Sequence, residues 1–141
     1  MINRRPILEG MKKQISVPTS RKLELRDITR SVRQTVQETG VHEGICVVYC
    51  PHTTAGLVIN ENADPDVASD LERAFSKLVP DIHFNHMEGN SPAHFLASVT
   101  RPSLQIIVEN GQLQLGRWQG LYFCEFDGPR QRRVWVKVIP G

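Results

Sequence analysis

No stretch of this chain approaches the roughly 18 consecutive apolar residues that a membrane-spanning helix requires, so it reads as a soluble protein with no membrane partner. Charge of one sign is scarce too. Lysine and arginine outnumber aspartate and glutamate by only two, and the surplus is spread along the chain, which gives no footing for a nucleic-acid partner. The local runs Arg4-Arg5, Lys12-Lys13 and Arg130 to Arg133 read as solvated faces. Cysteine is limited to three residues with no CxxC spacing. Cys46, Cys50 and Cys124 fall in apolar, strand-like runs, where a free thiol behaves as a small hydrophobe, so a buried and inert role is expected. The first residues carry charge but no continuous apolar segment or small-residue cleavage site follows them, so they do not read as a secretory signal, and a cytoplasmic protein is expected. Internal repeats and low-complexity segments are lacking as well.

What remains is an ordinary globular balance, 40% hydrophobic and 23% charged over 141 residues, enough for one domain with its own core and no need of a structural metal or disulfide. Residues 1–12 read as an N-terminal extension and 13–141 as the domain. The polar–apolar alternation over 13–17 predicts an edge strand, and a short strand is expected over 22–25. Ile28, Val32 and Val36 then recur every four residues up to Gly40, which predicts a helix capped by Asp27 or Thr29. Two continuous apolar runs, 44–50 and 56–60, predict central strands. Asp64 followed by Pro65 opens a second helix whose buried stripe would be Val67, Leu71, Ala74, Phe75 and Leu78. Ser91 followed by Pro92 predicts a short third helix, with His94 near its first turn. Beyond it the period changes to two. Leu104, Ile106 and Val108 alternate, Asn110-Gly111 marks a tight hairpin, and strands follow over 121–126 and around Val134, Val136 and Val138. The expected fold is α+β: a single domain with a largely antiparallel, sandwich-like sheet core and about three helices.

Polar residues that serve neither a core stripe nor a plain turn collect in a few places. The richest is 83–94, which holds three of the five histidines together with Glu88, Gly89 and Asn90. Imidazoles exchange protons near neutral pH and bind metals through a neutral nitrogen, so a cluster of them beside a carboxylate permits proton transfer, metal binding or anion binding. The polar connection 51–56 between the two apolar strands adds His52, Thr53 and Thr54. Further polar groups stand at Glu61, at Arg117 and Gln119, and over Glu125 to Arg130. His42 and His83 read as plain surface residues.

These places coincide with ordered motifs. They read Pro-His-Thr-Thr-Ala at 51–55, Asn-Glu-Asn-Ala-Asp-Pro-Asp-Val at 60–67, and His-Met-Glu-Gly-Asn at 86–90. His94, Pro-Ser-Leu at 102–104 and Glu-Asn-Gly at 109–111 follow. Leu-Gly-Arg-Trp-Gln-Gly at 115–120 and Cys-Glu-Phe-Asp-Gly-Pro-Arg at 124–130 complete the series. In this order, over about residues 13–138, the chain resembles the YjbQ family of small proteins, some of whose members are described as secondary thiamine-phosphate synthases. The resemblance implies a homotrimer with a pocket around the matching histidines near a subunit interface. It also implies a transferase that joins a pyrimidine diphosphate to a thiazole phosphate and releases pyrophosphate. Phe84 departs from the tyrosine often found before the motif histidine.

Under that reading His52, His86, Glu88 and His94 are the candidate catalytic residues. Thr53, Thr54, Glu61, Asn90, Arg117, Gln119 and Arg130 are the candidate ligand contacts, the threonines and arginines toward phosphate oxygens. The partner is a small phosphorylated molecule or an inorganic anion. His52, His86 and His94 stand equally as a three-nitrogen face for a divalent metal, zinc or magnesium, or as metal-free anion donors; no organic cofactor is expected. Two other classes remain beside the transferase. One is a metal-dependent hydrolase using a histidine-bound water with Glu88 as base, and the other is a non-catalytic trimer that binds a metal or an anion.

Overall fold

The computed structural model describes residues 11–141, so most of the N-terminal extension expected at 1–12 lies outside the described residues. The elements follow as β1 (Lys13–Pro18), β2 (Glu24–Asp27), α1 (Thr29–Thr39), β3 (Gly44–Tyr49), β4 (Ala55–Glu61), α2 (Pro65–Leu78), α3 (Ser91–Val99), β5 (Ser103–Glu109), β6 (Gln112–Leu113), β7 (Gln119–Glu125) and β8 (Gln131–Pro140). The strands form two sheets, β1-β8-β3-β5-β6 and β2-β7-β4, and every pairing within them is antiparallel. The domain is α+β, as expected.

Side-chain parity builds the core. On β8, Arg132, Val134, Val136 and Val138 are buried while Gln131, Arg133 and Lys137 are exposed. Cys46 and Val48 of β3 and Leu104, Ile106 and Val108 of β5 fill the same inner face. They meet Leu57 of β4 and Leu121 and Phe123 of β7 from the smaller sheet. Each such fully buried side chain stabilises the fold by roughly 1.5–3 kcal/mol relative to an exposed one. The smaller sheet is buried on both faces. Its other side, with Leu25, Tyr122 and Cys124, packs against Leu71 and Phe75 of α2 and Ala93 and Leu96 of α3. Val32 and Val36 of α1 join the first core, where the helix touches β1, β6, β7 and β8.

Local signals place most ends. Gly40 closes α1 in the left-handed conformation, and Asn110 and Gly111, both at positive φ, form the predicted hairpin turn. The cap position of α1 is Ile28 rather than Asp27 or Thr29 and carries no side-chain cap bond; Asp27, one residue ahead of it, accepts at Oδ1 from the Thr29 amide at 2.9 Å. Asp64 caps α2 by accepting from the Asp66 amide. Two further expectations need correction. The α2 stripe is only half-buried, with Ala74 and Leu78 exposed, because the helix rides mainly on the edge strand β2 and the narrow sheet cannot cover it. In α3 the cap position is Asn90 rather than Ser91, and the Asn90 side chain is engaged elsewhere. No helix among the described residues is long and apolar enough to cross a membrane.

Candidate functional site

At one end of the sandwich β3 and β7 finish, β4 and β8 begin, and the polar connection 51–54 crosses the gap. The loop 79–90 and the start of α3 approach the same place. They enclose a cleft of about 500 Å³, lined among others by His52, Thr53, Thr54, His86, Glu88, Asn90, His94, Arg130 and Arg132. That volume suits a small-molecule ligand. A roomier hollow along α1 is lined by Asp27, Arg30, Arg33, Gln34, Gln37 and Asn62 and holds no imidazole.

His52 stands where the β3–β8 ladder stops. The register sets Tyr49 opposite Trp135, so the next pair inward on that side would be Pro51 and Arg133, and proline has no N–H to give. The imidazole takes its place. Nε2 lies 3.1 Å from the Arg133 amide, which donates to it, and 3.0 Å from the Arg133 carbonyl, with the bond made depending on the tautomer. The ring packs edge-on against Phe123 at 6.2 Å. Burial, reinforced by the nearby Arg132 charge, pushes its pKa down and favours the neutral ring.

His94 occupies the first turn of α3, as expected. The Thr53 carbonyl, 3.1 Å from Nδ1, accepts from that nitrogen, which leaves Nε2 as the nitrogen with a free lone pair. His86 approaches it with ring centroids 5.4 Å apart in a T-shaped arrangement. Between His86 and α3 the chain turns at Gly89, which sits at φ +78° and donates to the His86 carbonyl. Asn90 then bridges two carboxylates. Its Nδ2 donates to Glu88 Oε2 and to Asp127 Oδ2, both at 3.0 Å, and Asp127 also accepts from Arg130. The two carboxylates fix the amide orientation, so Oδ1 is the acceptor; it is buried and has no partner among the described residues.

Beneath these groups the inner face of the sandwich ends in charge. Glu125 follows Leu121 and Phe123 at inward parity on β7, and Arg132 precedes Val134 on β8. Arg132 donates through Nε to Glu125 Oε1 at 2.9 Å and through Nη2 to Glu125 Oε2 and Thr54 Oγ1. Glu125 also accepts from the Thr19 hydroxyl and the Asp127 amide. Burial pushes the Glu125 carboxyl up, but the bonds from Arg132, Thr19 and Asp127 outweigh it and hold the carboxyl below the usual carboxylate value. Charge alone does not mark Arg132 as part of a site, since it lies in a run that reads as a solvated face. Strand parity is the signal that places both inside.

The cleft gathers eight of the eleven candidate residues. Glu61, Arg117 and Gln119 are not among its lining. Strand β4 starts with Ala55 beside Glu125 and ends with Glu61 beside Gln119, about 20 Å away at some 3.3 Å per residue. There Gln119 Oε1 accepts from the Gly116 amide and Arg117 stacks on Trp118. His52 Nε2 is taken by Arg133, and no group of three His, Cys, Asp or Glu side chains able to hold a metal ion occurs among the described residues. Cys46, Cys50 and Cys124 are buried and unpaired, as expected. Burial raises the Cys46 thiol to about 12 and the Cys50 thiol to about 11.

Residues 13–141 match the family model described as "UPF0047 protein YjbQ-like". The chain is 51% identical to the UPF0047 protein YugU of Bacillus subtilis over 131 residues, covering 92% of this chain and 99% of the relative. It is 48% identical to the UPF0047 protein MJ1081 of Methanocaldococcus jannaschii, covering 87% and 90%. Among solved structures it is similar to an uncharacterised conserved YjbQ/UPF0047 protein of Clostridium acetobutylicum. There the TM-score is 0.86 at 53% identity, with 90% of this chain and 99% of that one covered.

Proposed function

This chain belongs to the YjbQ (UPF0047) family, and on that footing we propose that its cleft binds the phosphate group of a small phosphorylated molecule and exchanges a proton with it through His94. The observation that carries the reading is the pairing of a histidine whose Nδ1 is tied to the Thr53 carbonyl, leaving Nε2 toward chemistry, with a floor of hydroxyl and guanidinium donors. Fixing one ring nitrogen by a backbone bond sets the tautomer and aims the other, which is what acid–base work requires. Phosphate oxygens match hydroxyl and guanidinium donors.

The transfer of a pyrimidine diphosphate onto a thiazole phosphate is the specific form of this reading. Both reactants carry phosphate, and departure of pyrophosphate builds negative charge that Thr54 and a guanidinium would stabilise. Glu88, held by Asn90, is the carboxylate beside the reacting groups. A metal-free site is the simpler version, because His52 already commits Nε2 to the Arg133 backbone. The chain is further proposed to act in the cytoplasm and as a homotrimer. The outer face of the larger sheet supplies an apolar surface for a second copy: Ile45 lies between Ile107 and Ile139 across three strands, all about half exposed. Calorimetric titration with pyrophosphate tests the ligand class. Binding by the parent protein, weakened about tenfold or more in His94→Ala, supports the reading, whereas undiminished binding in that variant refutes the role of His94.

A further inference from the structure

We infer that Arg132, not the more exposed Arg130, is the anion anchor of the cleft, and that Glu125 tunes how strongly it holds an anion. This rests on the phosphate reading above and names the group that would carry it. The buried pair has no evident structural need. Replacing such a pair by packed apolar side chains is often neutral or stabilising, so its presence at the end of an otherwise apolar core asks for another role.

The hydrogen-bond pattern supplies one. Arg132 spends Nε and Nη2 on Glu125, and Nη2 also donates to the Thr54 hydroxyl at 2.8 Å and to the Thr54 carbonyl. Nη1 has no hydrogen-bond partner among the described residues. The one buried, unpartnered side-chain polar atom among the described residues is Asn90 Oδ1, so Nη1 reaches solvent although the residue is only 5% exposed. Arg132 is among the residues that line the cleft, and the inference assigns Nη1 to that opening. A guanidinium clamped on three sides and open on one is a donor that loses little freedom when an anion arrives. The Thr54 hydroxyl accepts from Arg132, which leaves its own proton to give to the same anion.

The other charges nearby are less suited. Arg130 is half exposed and commits Nε and Nη2 to Asp127. Arg133 points to the outer face, over Trp135. Glu88 stands in the cleft wall and opposes an anion rather than holding it. Glu125 neutralises Arg132 from behind, so its charge sets the net pull on a ligand in front.

The test is calorimetric titration of pyrophosphate into the full chain, its Arg132→Lys and Glu125→Gln variants, and the double variant Glu125→Leu with Arg132→Met, with circular dichroism and thermal melting to establish folding. The double variant removes both charges, so no ion is left buried and unpaired. The inference expects at least tenfold weaker binding in the folded double variant and in Arg132→Lys, and several-fold tighter binding in Glu125→Gln. A folded double variant that binds within twofold of the parent overturns the inference while leaving the cleft reading standing. If the double variant does not fold, parent-like binding by Arg132→Lys overturns it instead. Parent protein that binds no pyrophosphate overturns both readings.

Discussion

Replacing His52 by alanine removes a hydrogen-bonding group from a place where the β3–β8 ladder has none to spare. Arg133 then has its amide and carbonyl facing a gap that Pro51 cannot fill, and one of them loses its bond to Nε2. Arg133 is exposed, so the freed group can turn to water and the lost bond costs about 0.5–1.5 kcal/mol, while the lost edge contact with Phe123 adds roughly 0.5–1.5 kcal/mol. The expected total is about 1–3 kcal/mol. His52→Gln keeps an amide group near the position of Nε2 and restores the hydrogen bond but not the ring contact, so it should recover half or more of the loss. Urea unfolding followed by circular dichroism, at one protein concentration because assembly also contributes, reads both differences. The pH dependence has a definite sign. The folded state lowers the His52 pKa, so below about 6.5 the unfolded chain takes up a proton that the native ring resists, and stability falls as pH drops. His52→Gln lacks that loss, so its deficit against the parent should shrink in acid. Alanine and parent proteins of equal stability, within about 0.5 kcal/mol at neutral pH, would refute the ladder-end role and return His52 wholly to ligand chemistry.

Glu125 adds a second acid-sensitive step. Its folded pKa lies below the unfolded value of 4.5, so its contribution is present above that pH and lost as pH falls through the folded value; a steeper stability loss below about pH 4.5, absent in Glu125→Gln, is expected in pH-dependent melts. The three thiols should resist a thiol reagent in native buffer at pH 8 and react together after denaturation, since all are buried and burial raises each pKa; prompt labelling of a native thiol would contradict that. Ile45→Lys should shift the light-scattering mass of the assembly to that of a single chain while leaving the circular dichroism spectrum unchanged. A trimer unaffected by that charge places the contact elsewhere.

The fold was legible wherever one periodicity ruled a segment. Val134, Val136 and Val138 announce a half-buried strand, and Asn110-Gly111 announces a turn, because each choice is local. The α2 stripe was legible as a pattern but not in its degree of burial, which depends on the width of a sheet that Ala74 and Leu78 do not encode. The cleft was legible through its histidines. Arg132 in its floor was hidden because the run Arg130 to Arg133 read as a solvated face, although its parity with Val134 pointed inward. Glu61, Arg117 and Gln119 share the polar character of the cleft residues, and composition alone cannot tell that β4 carries them to its far end. His52 was legible as a polar outlier, but its bond to Arg133 follows from a strand register that only the fold supplies.

The most direct measurement of the central claim is calorimetric titration of pyrophosphate into the parent protein and into His94→Ala, with both shown to be folded. Saturable binding by the parent, at least tenfold weaker in the variant, is the predicted result. No binding by the parent, or equal binding by both, would contradict a phosphate cleft that works through His94.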